Sequence, residues 1–158
     1  NAFSKALSKN NVLHLTVITD GEYKSYETIL NNLNIPEDSI ELLTEKTTTE
    51  VAEIIKTKHV FVLFSNYENL PCVISEALCS GLPVISTNVG GIPEMIDDSN
   101  GILIQPKDEK QLELSILELV ENYSNYNANS ISQNANDKYS YESVSSVFNQ
   151  FYLTAIND

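Results

Sequence analysis

HVFVLFS (residues 59–65), CVISEALC (72–79) and PVIS (83–86) follow one another closely, and their order decides the fold. The first is a near-continuous apolar run, typical of a strand buried on both faces of a parallel sheet. The second has helical spacing and meets a stop signal at Gly81 and Pro83. The third is short and β-rich. Strand, helix and strand in this order predict a right-handed crossover between parallel strands.

The pattern repeats outward in both directions. Toward the C-terminus, Gly90, Gly91 and Pro93 separate PVIS from another short strand, GILI (101–104), and residues 108–122 have amphipathic helical spacing. The Asn- and Ser-rich stretch 122–137 reads as a weak helix with loops. Glu142 to Ile156 reads as a helix with Val144, Val147, Phe148 and Phe151 facing inward. Toward the N-terminus, Thr47–Lys56 is predicted as a helix with Val51, Ile54 and Ile55 inward, and Ser39–Leu43 as a strand. Tyr23–Leu33 is predicted as a helix closed by Pro36, and Val12–Thr19 as a strand ended by a turn at Asp20-Gly21. Residues 2–9 form the end of an amphipathic helix with Phe3, Ala6 and Leu7 on one face. Tyr123, Tyr126, Tyr139, Tyr141 and Tyr152 are expected to pack. The alternation predicts an α/β, Rossmann-like, doubly wound parallel sheet of about six strands, with no internal repeat.

The 158 residues fit a single domain spanning 1–158, with 42% apolar and 20% charged residues. No stretch approaches the ~18 consecutive apolar residues of a membrane span, and no signal-peptide layout is present. Net charge is -13 and every cation is a lysine, so nucleic acid and anionic lipid surfaces are not expected partners. Cys72 and Cys79 lie two turns apart on one predicted helix, too far for a disulfide, and neither histidine is near them. Reduced, half-buried thiols are expected, and no metal site. The chain begins at Asn1 and its single methionine is Met95, so residues upstream are expected in the natural protein.

In an open parallel sheet, ligands bind beyond the carboxyl ends of the strands. There is no G-x-G-x-x-G after the first strand and no G-x-x-x-x-G-K-[ST], so a dinucleotide cofactor is disfavoured and the chain is not a P-loop protein. Beyond HVFVLFS, two carboxylates, Glu68 and Glu76, flank Pro71. Glu68 falls in the loop and Glu76 about one turn into the helix, so both can face one cleft mouth from different depths. The free amides of Cys72 and Val73 at the helix start suit a diphosphate.

The segment Glu68-Asn-Leu-Pro-Cys-Val-Ile-Ser-Glu76-Ala-Leu-Cys-Ser-Gly81-Leu-Pro83-Val84 resembles the E-x7-E region of family 4 retaining glycosyltransferases with a GT-B fold. VGGIPEMI (89–96), NGILIQP (100–106) and SYE (140–142) match that family in order. The resemblance implies one half of a GT-B enzyme, the donor-binding domain, with the acceptor domain and the first strand of this half lying outside the chain. It implies that Glu76 accepts from both ribose hydroxyls, and that Glu68 is the catalytic-site carboxylate, binding donor-sugar hydroxyls near the anomeric carbon. It places the Leu70, Cys72 and Val73 amides against sugar and phosphate, and the Thr44-Glu45-Lys46 turn against the base. It implies a nucleoside-diphosphate sugar as donor, with no cofactor or metal. The acceptor would be a sugar, a lipid-linked group or another acceptor bound by the N-terminal domain, as in polysaccharide biosynthesis. It implies a cytoplasmic enzyme, with any attachment to the inner membrane face made through that domain.

Two departures stand out. Asn69 occupies a position where glycine is common, which suits a left-handed backbone there. The family's G-R-x-x-x-x-K-G basic pair falls upstream of Asn1, so the cations for the leaving diphosphate are missing and the chain alone is expected to be inactive. Two other readings remain open on the sequence: a nucleotide-sugar epimerase of the same architecture, and a non-catalytic nucleotide- or sugar-binding module.

Overall fold

The computed structural model describes residues 1–19, 23–33 and 35–157; the predicted Asp20-Gly21 turn lies outside them. The order of the principal elements is α1 (Ala2–Lys9), β1 (Leu15–Ile18), α2 (Tyr23–Asn32), β2 (Ile40–Leu43), α3 (Thr48–Ile55), β3 (Phe61–Leu63), α4 (Cys72–Cys79), β4 (Val84–Thr87), β5 (Gly101–Ile104), α5 (Glu109–Glu121), α6 (Ala128–Tyr139) and α7 (Tyr141–Asn157). All strand pairs are parallel, as the alternation predicts. The five described strands form two sheets, β1-β2 and β3-β4-β5. β4 is central, with Val84 opposite Gly101 on β5 and Phe61 on β3.

Period-two alternation on β4 splits the core into two layers. Val84 points into a cluster with Ile74, Ala77 and Leu78 of α4 and Ile131 and Ala135 of α6. Ile85, its neighbour, points the other way into a cluster with Ala2, Ile104, Leu112 and Leu119, against α1 and α5. Helices on both faces make this a three-layer α/β fold. Pro71 and Gly81 bracket α4 as their backbone preferences require: Gly81 takes φ +81, the left-handed conformation that ends helices.

Several expectations change. β1 and β3 are shorter than the apolar runs suggest, and Val12 is exposed. β3 is not buried on both faces: it pairs only with β4 among the described strands, and Val62 is 39% exposed. The 122–137 stretch is a helix with loops, as expected: a short turn at 123–125 precedes the 12-residue α6, which runs on to Tyr139. Its polar composition conceals two buried residues, Ile131 and Ala135, and Ser132 donates to the Cys79 carbonyl at 2.6 Å, tying α6 to the end of α4. The stripe on α7 is real but faces outward. Val144, Val147, Phe148 and Phe151 are all exposed, Phe151 by 70%; α7 touches α6, and of its described side chains only Ser143 is even partly buried. Tyr126 and Tyr139 pack against the core, whereas Tyr123, Tyr141 and Tyr152 are exposed. Cys72 is exposed rather than half-buried, and Cys79 is partly buried.

One ion cluster locks α1 to α5. The Glu113 carboxylate, 2% exposed, accepts from Lys9 Nζ at 2.6 Å and from Lys110 Nζ at 3.0 Å. Burial alone would favour the neutral acid, but the Lys9 hydrogen bond, with Lys110 beside it, holds this carboxyl below the ordinary carboxylate range. A depressed native value means stability that is present above the ordinary pKa of 4.5 and lost as pH falls through the native value. Glu113→Gln should therefore lower the melting temperature at about pH 7, and the gap to wild type should narrow as the pH falls below 4.5. Melting curves across that range test this; a gap independent of pH would contradict it.

Candidate functional site

The site is built where β3 and β4 end. After Leu63 the chain leaves the sheet, and the Ser65 carbonyl is taken by the fully buried Thr87 hydroxyl at 2.7 Å. Ser86, also fully buried, donates to the Leu63 carbonyl at 2.9 Å. These two hydroxyls on β4 tether β3 as it departs. The loop then carries Glu68, partly buried, whose Oε1 accepts from Ser65 Oγ at 2.7 Å.

A second turn packs against this loop. The Gly91 amide donates to the Asn69 carbonyl at 2.7 Å. A Cβ on Gly90 would lie 1.9 Å from the Glu68 carbonyl oxygen, and one on Gly91 would lie 2.8 Å from the Asn69 oxygen. Gly90 also has φ +55, a left-handed conformation that costs other residues free energy. The Gly90-Gly91 pair is thus a close-approach requirement against the Glu68–Asn69 backbone. Asn69 itself is not left-handed; among described non-glycine residues only Lys107 has positive φ. The glycine requirement sits on the facing turn instead.

Pro71 is the N-cap of α4, with no side-chain cap. By contrast, Thr47, Asp108 and Asn127 each cap the next helix by accepting from a backbone amide. Ile74 N–H reaches the Pro71 carbonyl, and among the described residues nothing accepts from the Cys72 and Val73 amides at the helix start. Leu70, Cys72 and Val73 are exposed around them. Glu76 lies one turn further on, exposed on α4. The loop and helix therefore set a hydrogen-bonded carboxylate, open amides and an exposed carboxylate along one segment. Chemically, such a set can accept from sugar hydroxyls and donate to an anion.

The Thr44-Glu45-Lys46 turn lies at the end of β2, in the other sheet. Glu45 is exposed, and the Lys46 ammonium lies 3.9 Å from Glu50. Beyond it a Thr47–Glu50 capping box engages the Thr47 and Glu50 amides at the start of α3. Among the described residues no group of three or more His, Cys, Asp or Glu is placed to hold a metal ion. Two shallow hollows, of about 440 and 400 Å³, lie elsewhere, on the polar face of α7 and beside Asp97, Glu118 and Tyr126; neither includes Glu68 or Glu76. Ser65 and Thr87 are absent from the sequence-predicted set. The three-residue step from Ser65 to Glu68 is a readable signal, because a hydroxyl can reach a carboxylate across one turn.

Residues 1–138 match the family model described as glycosyl transferases group 1. The chain belongs to that family. An uncharacterized glycosyltransferase of Methanocaldococcus jannaschii is 37% identical over 110 residues, covering 67% of this chain and 30% of its own length. HepE of Anabaena, solved with UDP, superposes with TM-score 0.81 at 18% identity, over 99% of this chain and 44% of its own. The C-terminal domain of a glycosyl transferase group 1 family protein from Francisella tularensis superposes with TM-score 0.69 at 24% identity, over 86% of this chain and 74% of its own. The chain thus spans about a third of the curated relative. Its α/β fold with parallel strands is the one found in both of these solved structures. Among the described residues no helix is long and apolar enough to cross a membrane.

The glycine contact generates a direct test. Gly90→Ala should destabilise the domain by about 1–3 kcal/mol from backbone strain alone, with more from the clash. Amide NMR shifts should also move at Glu68 to Leu70. An unchanged melting temperature with unchanged shifts there would contradict the close approach.

Proposed function

We propose that this group 1 domain binds a nucleoside-diphosphate sugar at the carboxyl ends of β3 and β4 and serves glycosyl transfer with retention, as the C-terminal half of a family 4 enzyme with a GT-B fold. The observation that carries the reading is the uncapped N-terminus of α4 set between Glu68 and Glu76. A diphosphate leaving group gains negative charge as the glycosidic C–O bond breaks. Preorganised amides facing it lower that barrier without reorganising. Glu76 would accept from both hydroxyls of a ribose. Glu68, held by Ser65, would accept from donor-sugar hydroxyls beside the anomeric carbon. The Leu70, Cys72 and Val73 amides would face the sugar and diphosphate, and the Glu45-Lys46 turn would face the base. UDP is bound by the Anabaena neighbour, which makes it the first nucleotide to try.

The reading extends to the rest of the enzyme. With a net charge of -13 and no arginine, this domain has little with which to neutralise a diphosphate, so the proposal assigns that task to an upstream Arg/Lys pair. The strand order supports an upstream strand as well. β1 pairs only with β2 and β3 only with β4 among the described strands, so the outer edges of β1 and β3 are both open. A parallel strand preceding α1 could lie between them, joining the two sheets and closing one edge of each. An N-terminal domain would supply the acceptor site, for a sugar, a lipid-linked group or another acceptor. The reaction would take place in the cytoplasm, with no nucleic acid involved.

Calorimetric titration tests the site. Glu76→Ala in the intact enzyme should weaken UDP binding at least roughly tenfold, since two charge-assisted hydrogen bonds are lost. The 2′,3′-dideoxy analogue should bind wild type poorly and lose little more in the variant. Equal affinity in folded wild type and Glu76→Ala would remove the ribose assignment. Glu68→Gln should reduce turnover far more than UDP affinity, because donor-sugar contacts matter most in the transition state. The 158-residue chain alone should melt cooperatively yet consume no donor; steady turnover by it would refute the division of labour.

A further inference from the structure

We infer that Ser65 is a positioning residue that fixes the Glu68 carboxylate for chemistry, with Thr87 fixing Ser65 in turn. The inference rests on the reading of Glu68 as the carboxylate beside the donor sugar. Ser65 is the second residue past the end of β3, and its hydroxyl donates to Glu68 Oε1 at 2.7 Å. Its own carbonyl accepts from Thr87 Oγ1 at 2.7 Å, and Thr87 is fully buried at the end of the central strand. The relay therefore runs from the rigid sheet through two hydroxyls to one carboxylate oxygen.

The main chain of the same residue is held independently. The Glu68 carbonyl abuts Gly90, and the next carbonyl, that of Asn69, accepts from Gly91 N–H. With the backbone fixed by the glycine turn, the freedom left to Glu68 is its side-chain rotation. Ser65 restricts that rotation by holding Oε1 and leaves Oε2 to meet a ligand. Glu76 has no such partner: among the described residues no side chain donates to its carboxylate, and it is exposed on the helix. The two carboxylates of the motif thus differ in kind. One is preorganised by the sheet, as transition-state work requires; the other is free to adapt to the ribose it receives.

The test uses the intact enzyme with Ser65→Ala, Ser65→Thr, Glu68→Gln and the Ser65→Ala/Glu68→Gln double variant. Two readouts are taken: thermal unfolding, and steady-state consumption of UDP-glucose, UDP-N-acetylglucosamine, GDP-mannose and ADP-glucose. Ser65→Ala should lower kcat roughly ten- to hundredfold, the range of a charge-assisted hydrogen bond, with KM and UDP affinity changed little. Ser65→Thr, which keeps the hydroxyl, should recover most of the loss. In the Glu68→Gln background, Ser65→Ala should cost little more, because its effect passes through that carboxylate. The shifts in melting temperature should be non-additive in the same sense. A merely structural serine would give additive losses in both readouts, or equal losses for alanine and threonine, and either result overturns the inference. If wild type consumes none of the four donors and binds none of UDP, GDP or ADP, the reading of the site fails. The unfolding cycle then decides separately: coupling there would leave the Ser65–Glu68 bond standing without its catalytic purpose, and additivity would remove both.

Discussion

Two turns meet backbone to backbone at the ends of β3 and β4, and the geometry of the candidate site depends on that contact. Gly90 has no room for a methyl group because the Glu68 carbonyl already occupies the space. Gly91 completes the contact with a 2.7 Å hydrogen bond to the next carbonyl. Backbone contacts of this kind do not relax by rotating a side chain, so the loop carrying Glu68 inherits the rigidity of the central strand. From that loop the chain enters α4 through Pro71, whose ring shapes the turn but supplies no cap. The open amides, the fixed carboxylate and the second carboxylate one turn later all follow from how these few residues leave the sheet.

Sequence punctuation made this region legible. Pro71, Gly81 and Pro83 delimit α4 and β4 so tightly that the predicted helix Cys72–Cys79 coincides with the observed one. Glu68 and Glu76 were readable as a pair because one precedes and one follows that boundary. The Ser65–Glu68 bond was not read, since a serine at the end of an apolar strand looks like a strand terminus until its hydroxyl has a partner. Asn69 invited a left-handed backbone, whereas the constraint lies on Gly90, a residue of another turn. A requirement created by a close approach leaves its mark in both segments, and a single sequence does not say which of the two carries it.

Periodicity failed in a different way. The α7 stripe of Val144, Val147, Phe148 and Phe151 has correct helical spacing and yet faces outward. Spacing fixes which residues share a face; it carries no information on what covers that face. The 59–65 run misled for a related reason, as continuous apolar character suits a central strand, and β3 pairs on one side only among the described strands. By contrast, α6 is mostly polar, and the two residues it buries, Ile131 and Ala135, sit in the cluster with α4.

Membership of the glycosyl transferases group 1 family fits these observations, and the central claim is that the segment from Ser65 to Cys79 receives the nucleotide. Hydrogen exchange of the intact protein, with and without saturating UDP, GDP or ADP, addresses it most directly. The account predicts that a binding nucleotide slows exchange at the amides of Leu70, Cys72 and Val73 and across the first turn of α4, with smaller protection at Gly90 and Gly91. Protection confined to the opposite end of the sheet, around Asp97 and Glu118, or none in residues 65–79 despite measured binding, would contradict it.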